Sequence, residues 1–148
     1  MKQSPLVADG LSHLLADTYL LYLKTQNFHW NVTGSHFTSL HHLFEEQYVQ
    51  LTEAADLLAE RIRALQAIAP GSFAEFLELT SLKEASGEYT ANDMVASLLK
   101  DHEAISSSIE RLLKSIENEG DEVTTDMLIQ RKTEHDKTAW MLRSALEK

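Results

Sequence analysis

Apolar residues recur at intervals of three and four positions along most of this 148-residue chain. That spacing places them on one face of an α-helix, and no segment shows the period-two alternation that is typical of a β-strand. The clearest apolar stripe consists of Phe37, Leu40, Phe44, Tyr48, Leu51, Ala55, Leu58, Ile62 and Leu65. The pattern therefore predicts an all-α protein.

Helix-start and helix-stop residues divide the pattern into four long helices and one short helix. The predicted helices span about residues 5–31, 35–66, 73–79, 90–117 and 123–146. Three of the starts carry capping residues: Ser4 with Pro5, Ser72 with Glu75, and Thr90 with Asp93. We therefore expect a single domain over residues 1–148, a four-helix bundle with a long crossover and a short extra helix between the second and third long helices.

Composition narrows the classes of protein. The chain has no cysteine, which excludes disulfides and thiolate metal sites, and its net charge of −10 lacks the basic excess that nucleic-acid binding uses. An acidic surface suits the attraction of cations, but for charge alone the favoured interpretation is that it keeps the protein dispersed in solution. Polar residues at Asp9, Ser12 and His13 interrupt the N-terminal apolar residues, so we expect neither a signal peptide nor a membrane span, and a cytoplasmic location.

Five side chains of the kinds that bind hard metal ions form the chemical candidate: His29, His41, Glu45, Asp56 and Glu60. On the second helix His41 and Glu45 form one i,i+4 pair, and Asp56 and Glu60 form another. All four project within about a quarter of the helix circumference, but Asp56 lies roughly 22 Å beyond His41 along the axis. Because the half-sites cannot meet within one chain, an antiparallel helix from a second subunit would complete each one.

This donor set suits iron, manganese or zinc better than copper(I). Bundles can also hold two irons inside one subunit through Glu-x-x-His motifs, but none of the seven histidines here has an acidic residue three positions before it. That arrangement is therefore disfavoured, and the shared site is favoured. The alternative interpretation of the i,i+4 pairs is a solvated polar helix face.

A longer motif surrounds these residues. It comprises Asn27-Phe28-His29-Trp30-Asn31-Val32-Thr33-Gly34, then Phe37, Leu40-His41, Phe44-Glu45 and Asp56-x-x-Ala59-Glu60-Arg61. This combination resembles the signature of the Dps family, the dodecameric mini-ferritins also called DNA-binding proteins from starved cells. The helix pattern extends the resemblance over nearly the whole chain. The resemblance implies a ferritin-like bundle, assembled through two-fold dimers into a hollow homododecamer that oxidises ferrous iron and stores the ferric mineral.

The resemblance also assigns roles to residues. It implies that His29, His41 and Glu45 come from one subunit and Asp56 and Glu60 from its two-fold partner, in a centre for one or two irons. Members of the family often have Asp where this chain has Glu45. Hydrogen peroxide is the oxidant that the resemblance favours over dioxygen. It places Trp30 beside the centre, either as a radical scavenger or as an aromatic filler of the interface.

The start of the last predicted helix carries Asp121, Glu122 and Asp126. By resemblance these residues line a three-fold pore that attracts ferrous ions. The alternative is that Asp121 and Asp126 cap the helix and interact with its positive N-terminal dipole. Sequence alone leaves both roles open.

The rival function is compaction of DNA by a nucleoid-associated protein, with iron oxidation secondary. Family members that bind DNA in this way carry lysine-rich tails. Here Lys2 is the one basic residue before Pro5, and residues 143–148 form no basic extension. We therefore expect weak or absent DNA binding.

Three further histidines have open roles. His36, His102 and His135 could be auxiliary metal ligands or hydrogen-bonded structural residues, and the second interpretation is favoured for each. His42 follows His41 but points about 100° away on the helix, so we expect it at the surface.

Overall fold

The computed structural model describes residues 5–148, and this part of the chain contains helices and no strand. The helices are α1 (Pro5–Asn31), α2 (Phe37–Ala64), α3 (Phe73–Leu79), α4 (Ala91–Ser115) and α5 (Glu122–Ala145). α1 packs along α2, and α4 packs along α5. Contacts of α1 with α4 and of α2 with α5 close these pairs into a four-helix bundle. The predicted all-α bundle with a short extra helix is confirmed.

Local capping explains where two of the helices begin. The Ser72 hydroxyl oxygen accepts a hydrogen bond from the backbone N–H of Glu75 at 3.2 Å and caps α3. Thr90 and Asp93 form a complete capping box at the start of α4. Both predicted caps are confirmed, whereas Ser4, the predicted cap of α1, lies outside the described residues.

The second helix begins two residues later than predicted. Gly34 adopts a φ of 111°, a conformation that side chains rarely tolerate, and the chain turns there before Phe37 starts α2. At the other end, Gln66 has a φ of 67°, which ends the helical geometry after Ala64. The glycine turn thus lies between the end of α1 and the start of α2.

The predicted apolar stripe of α2 forms its buried face. Its buried members are Leu40, Phe44, Leu51, Ala55, Leu58, Ile62 and Leu65. Burying each large side chain contributes about 1.5–3 kcal/mol, so this stripe holds α2 against the bundle. Tyr48 is half-buried, and Phe37 is 42% exposed. The stripe therefore enters the core only after the first turn of the helix.

Two buried charged residues of α1 hold the crossover between α3 and α4. The Asp17 carboxylate accepts hydrogen bonds from the Thr80 hydroxyl at 2.6 Å and the Ser81 backbone N–H at 2.7 Å. Lys24 pairs with Asp101 at 2.8 Å and donates to the Lys83 carbonyl at 3.1 Å. Burial is the main influence on Asp101 and raises its pKa, although the Lys24 hydrogen bond acts in the opposite direction. The crossover is thus tied to α1.

Within residues 5–148, no helix combines the length and the apolar character that crossing a membrane would require.

Candidate metal centre

The end of α1 and the start of α2 bring His29 and His41 together. Their rings stack with centroids 3.8 Å apart and an interplanar angle of 14°. The Nδ1 atom of His29 lies 2.8 Å from the His41 carbonyl oxygen, and the Nδ1 atom of His41 lies 2.7 Å from the His29 carbonyl oxygen. The sequence therefore identified a pair of imidazoles that the fold places in direct contact.

These reciprocal hydrogen bonds decide which nitrogens can bind a metal ion. A carbonyl oxygen only accepts, so each Nδ1 must carry a proton and donate it. In a neutral imidazole the lone pair then lies on Nε2, the arrangement found in metal-ligating histidines whose other nitrogen is held by a carbonyl. Both rings are consequently held in the tautomer that a metal ion needs.

Aromatic neighbours hold the two rings from either side. Phe37 stacks on His41 with centroids 5.1 Å apart. Tyr48, one turn beyond Phe44 on α2, meets His29 edge-on at 5.2 Å and 69°. His29 is only 6% exposed, so its ring has little freedom to turn away. Packing and hydrogen bonding thus fix the geometry of this half-site.

The predicted carboxylate ligands do not join the histidines within the chain. Glu45 lies one turn beyond His41 and is exposed, as are Asp56 and Glu60 farther along α2. Because α2 is continuous between them, Asp56 remains roughly 22 Å from His41 along the axis. In the described part of the chain, no three His, Cys, Asp or Glu side chains are grouped closely enough to hold a metal ion. The five candidate ligands therefore lie in two separate regions of the chain.

An open groove borders the carboxylate half-site. It has a volume of about 600 Å³ and lies between α1, α2 and α3, with Tyr19, Asp56 and Phe73 among its lining residues. The Phe73 side chain is 71% exposed, and Trp30 at the end of α1 is 60% exposed. Exposed aromatic side chains thus accompany both half-sites.

The candidate pore residues differ from one another. Asp121 caps α5: its carboxylate accepts hydrogen bonds from the Thr124 N–H and the Arg61 guanidinium, both at 2.9 Å. Burial acts to raise its pKa, but the Thr124 hydrogen bonds and the Arg61 charge outweigh it and lower the pKa. Glu122 and Asp126 are exposed. Asp121 therefore has its capping role within the chain, and its charge is paired there.

A second histidine pair lies inside the bundle, where no sequence motif indicated one. His102 on α4 and His135 on α5 are 2% and 1% exposed, and their Nδ1 atoms are 2.9 Å apart. The Nε2 atom of His135 lies 3.1 Å from Nη2 of Arg131. Burial, followed by the charge of Arg131, lowers the pKa of His102 to about 3. Burial also lowers the pKa of His135 well below its usual value, so both imidazoles are neutral.

The direction of this hydrogen-bond chain follows from Arg131. A guanidinium only donates, so Nε2 of His135 accepts, and the proton of neutral His135 is on Nδ1. His135 then donates to Nδ1 of His102, which leaves the His102 proton on Nε2. The nitrogens in this pair are either protonated or already accepting a hydrogen bond. His102 and His135 thus have the structural role that the sequence favoured.

The other two histidines of α2 and its cap lie at the surface. His36 is exposed and its Nε2 atom lies 2.9 Å from the Glu147 carboxylate, which links the start of α2 to the C-terminal segment. His42 is exposed, as predicted.

Comparison with known proteins identifies relatives over almost the full length. A family model described as a ferritin-like domain matches residues 8–148. DNA protection during starvation protein 2 of Bacillus anthracis is 38% identical over 140 residues, covering 95% of this chain and 96% of that protein. Dps from Staphylococcus aureus superposes with a TM-score of 0.95 at 38% identity, covering 100% of this chain and 99% of that chain. A Vibrio cholerae O1 Dps, described as a member of a broad superfamily of ferritin-like diiron-carboxylate proteins, gives a TM-score of 0.92 at 29% identity, with coverage of 99% and 98%.

Proposed function

Because the chain belongs to the Dps family of ferritin-like proteins, we propose that it is a ferroxidase that stores iron and protects DNA by removing ferrous iron and peroxide. Iron storage and DNA protection in general follow from membership of the family, and the superfamily named for the Vibrio cholerae relative supports iron as the metal. The observation that carries the proposal is the His29–His41 pair, whose Nδ1 atoms both donate to backbone carbonyls.

The donor set accounts for the chemistry. The Nε2 atoms of His29 and His41 would bind the ferrous substrate, and carboxylates would stabilise the ferric product, which is the harder ion. When two ferrous ions each give one electron to hydrogen peroxide, the O–O bond breaks and two hydroxide ions form. This two-electron step releases no hydroxyl radical, so peroxide is the oxidant that we propose.

The complete centre requires a second copy of the chain in this proposal. His29, His41 and Glu45 of one protomer would face Asp56 and Glu60 of its two-fold partner, in a site for one or two irons. The separation of the half-sites along α2 supports this arrangement. Exposed apolar side chains near both half-sites, Trp30 and Phe73 among them, supply surface that a partner would bury. Twelve such protomers would enclose the stored mineral, as the family resemblance implies.

Ferrous ions would reach the interior through acidic pores at the start of α5. Glu122 and Asp126 are the exposed carboxylates there. Asp121 would line the same passage, although its charge is paired with Arg61 at 2.9 Å. Repeating exposed carboxylates around a three-fold axis concentrates negative charge and raises the local cation concentration.

Mixed dimers test the shared centre. A His41→Ala chain and an Asp56→Ala chain, refolded together, would combine both defects in one interface site and leave the other site intact. Ferrous iron is added without oxygen, peroxide follows, and ferric absorbance is recorded. We expect mixtures to recover activity that neither parent has, because one of the two sites in each mixed dimer is complete.

Glu53→Ala provides the control, because Glu53 is also exposed on α2 one turn before Asp56. The Glu53→Ala chain should oxidise iron at the parental rate by itself, and adding this substitution to either chain of the mixture should not change the activity recovered. Activity in the mixture that stays at the level of the parents would refute the shared centre.

A further inference from the structure

Arg131 of α5 is a buried cation that has no counter-ion among the described residues. The residue is 8% exposed, and its Nη2 atom donates to Nε2 of His135 at 3.1 Å. Its Nε atom is buried and has no hydrogen-bond partner in the part of the chain that the structure describes. None of the ion pairs within residues 5–148 includes Arg131. Because His135 is neutral, its hydrogen bond leaves the charge of the guanidinium uncompensated.

This arrangement is unusual, because arginine is rarely buried unless it is paired. Burial lowers the pKa of Arg131, and the charge of Glu134 acts in the opposite direction. A guanidinium nevertheless keeps its proton near neutral pH. An anion beside Arg131 would therefore offset the free energy cost of removing this charge from water.

Glu134, one turn after Arg131, is the acid whose charge acts on the guanidinium, but its carboxylate is held by another helix. The Gln50 amide of α2 donates to it at 2.7 Å. Both charged residues line a groove of about 240 Å³ between α2 and α5, the α2–α5 groove, in which Ala54 and Leu58 form part of the α2 wall. A small anion in this groove would thus lie beside Arg131.

We propose that the α2–α5 groove binds inorganic phosphate beside Arg131. A guanidinium can donate two parallel hydrogen bonds to a phosphate group, and its Nε atom belongs to the fork of donors that does so. Gln130 also lines the groove, and its amide donates to Asp126 at 2.9 Å. An amide nitrogen carries two hydrogens, so Gln130 has a second donor for an oxyanion.

The Glu134 carboxylate determines which oxyanion suits the groove. An ionised carboxylate only accepts hydrogen bonds. Phosphate still carries a proton near neutral pH, so its P–OH group can donate to Glu134. Sulfate has lost both protons and brings only acceptor oxygens toward this carboxylate, and a phosphodiester likewise has no proton to give. The groove should therefore prefer inorganic phosphate to sulfate and to the backbone of a nucleic acid.

Calorimetric titration of the assembled, iron-free protein tests the site. The ligands are sodium phosphate, sodium sulfate and dimethyl phosphate, compared near neutral pH and at equal ionic strength. We expect saturable phosphate binding, and binding of the other two that is weaker by roughly tenfold or more, because each loses a charge-assisted hydrogen bond. Phosphate should also raise the melting temperature, since a ligand of the folded state stabilises that state.

Two variants separate the roles of the charged residues. Arg131→Gln should abolish saturable phosphate binding. The matched control is Arg143→Gln, because Arg143 is exposed on the same helix and lies 3.7 Å from Glu103. Glu134→Gln keeps the guanidinium and removes the selecting charge, so it should bind sulfate as tightly as phosphate. This second variant decides the question if Arg131→Gln does not assemble.

Parental phosphate affinity in Arg131→Gln would overturn the inference. So would an unchanged preference for phosphate over sulfate in Glu134→Gln. Failure of the assembled wild-type protein to bind phosphate would also overturn it, and would indicate that a carboxylate of this chain or of another subunit neutralises Arg131. Each of these results would leave the proposed ferroxidase function standing, because the titrations contain no iron.

Discussion

The two histidine pairs of this bundle have opposite hydrogen-bonding arrangements. His29 and His41 give both Nδ1 protons to backbone carbonyls, so both Nε2 lone pairs remain for a metal ion. His102 and His135 bond to each other through Nδ1, and Arg131 occupies Nε2 of His135. The residue types are the same, but the acceptors differ. The hydrogen-bond partner of Nδ1 therefore decides whether the Nε2 atoms of a histidine pair are free to bind a metal ion or the pair only links two helices in the core.

The location of the inner pair explains why the interior of this bundle does not suit a metal ion. The interior between long helices is where bundles can hold two irons with Glu-x-x-His motifs. Here α4 and α5 place the two neutral imidazoles there, with the buried Arg131 guanidinium next to them. A fixed positive charge and a proton on every nitrogen that is not already accepting a hydrogen bond oppose cation binding. The fold thus leaves the outer pair as the iron-binding candidate.

Removing the outer pair, His29 and His41, should have the largest effect on iron oxidation. We expect the double variant His29→Ala/His41→Ala to slow peroxide-driven iron oxidation by about 100-fold or more. Mutation of residues that only hydrogen-bond to metal ligands already lowers metal affinity or activity by about 10–100-fold. The assembly should remain intact, because we expect apolar burial rather than metal binding to hold it together. Stopped-flow absorbance and sedimentation measure the two effects. His42→Ala, which changes the exposed neighbouring histidine, should oxidise iron normally, and parental rates in the double variant would contradict the assignment.

The inner pair should show the reverse behaviour. His102→Ala opens a cavity and leaves the His135 Nδ1–H without its acceptor, which we expect to cost about 2–4 kcal/mol. The melting temperature of the iron-free protein should fall by roughly 5–15 °C. Iron oxidation by the folded protein should persist. His13→Ala is the matched control, because His13 is exposed on α1. If His102→Ala melted at the parental temperature but failed to oxidise iron, the inner pair would have a functional role and not a structural one.

The sequence predicted one pair and not the other for a physical reason. Helical periodicity and capping are local, so the helices and the caps at Ser72 and Thr90 could be predicted. The outer pair lies 12 residues apart across one turn, next to a recognisable motif. His102 and His135 lie 33 residues apart and meet only because α4 and α5 pack together. Contacts of that kind depend on side-chain packing that no local pattern specifies.

The surroundings of the candidate ligands also depend on side-chain packing that the sequence pattern did not predict. The spacing along α2 predicted that Asp56 and Glu60 could not reach His41 within one chain. It did not predict that Tyr48 would pack against His29, because position 48 is simply one member of the apolar stripe. The same stripe included Phe37, which the turn at Gly34 leaves half out of the core. Periodicity gives the face of a helix but not the depth to which each turn is buried.

Acid should weaken the protein through the inner pair. The pKa of His102 is lowered to about 3 in the folded state, whereas an unfolded histidine titrates near its usual value of 6.5. The contribution of neutral His102 to the free energy of unfolding is therefore fully present above pH 6.5. It is lost as the pH falls toward 3, because in this range the unfolded chain binds a proton that the folded chain does not. Each such histidine contributes a slope of about 1.4 kcal/mol per pH unit. Melting temperatures of iron-free protein between pH 7 and pH 5 measure it.

His102→Gln supplies the control for this slope, since it removes one titrating group and keeps a polar side chain of similar length. The pH dependence should weaken by about one proton relative to the parent. Equal slopes in the two proteins would show that acid acts elsewhere. The carboxylates with lowered pKa, Asp121 and Asp136, lose their stabilising charge only at lower pH and do not affect this window.

The smallest expected effect tests whether the outer site extends beyond its imidazoles. Glu45 lies about 40° around α2 from His41, whereas Glu46 lies about 140° away. Both are exposed. Glu45→Gln keeps the shape and removes the charge, so oxidation should slow by roughly tenfold if Glu45 contacts iron directly or through water. Glu46→Gln should leave the rate unchanged. Glu45→Asp should restore most of it, because the shorter side chain keeps a carboxylate on the same helix face. Equal rates in Glu45→Gln and Glu46→Gln would confine the contribution of this protomer to the two histidines.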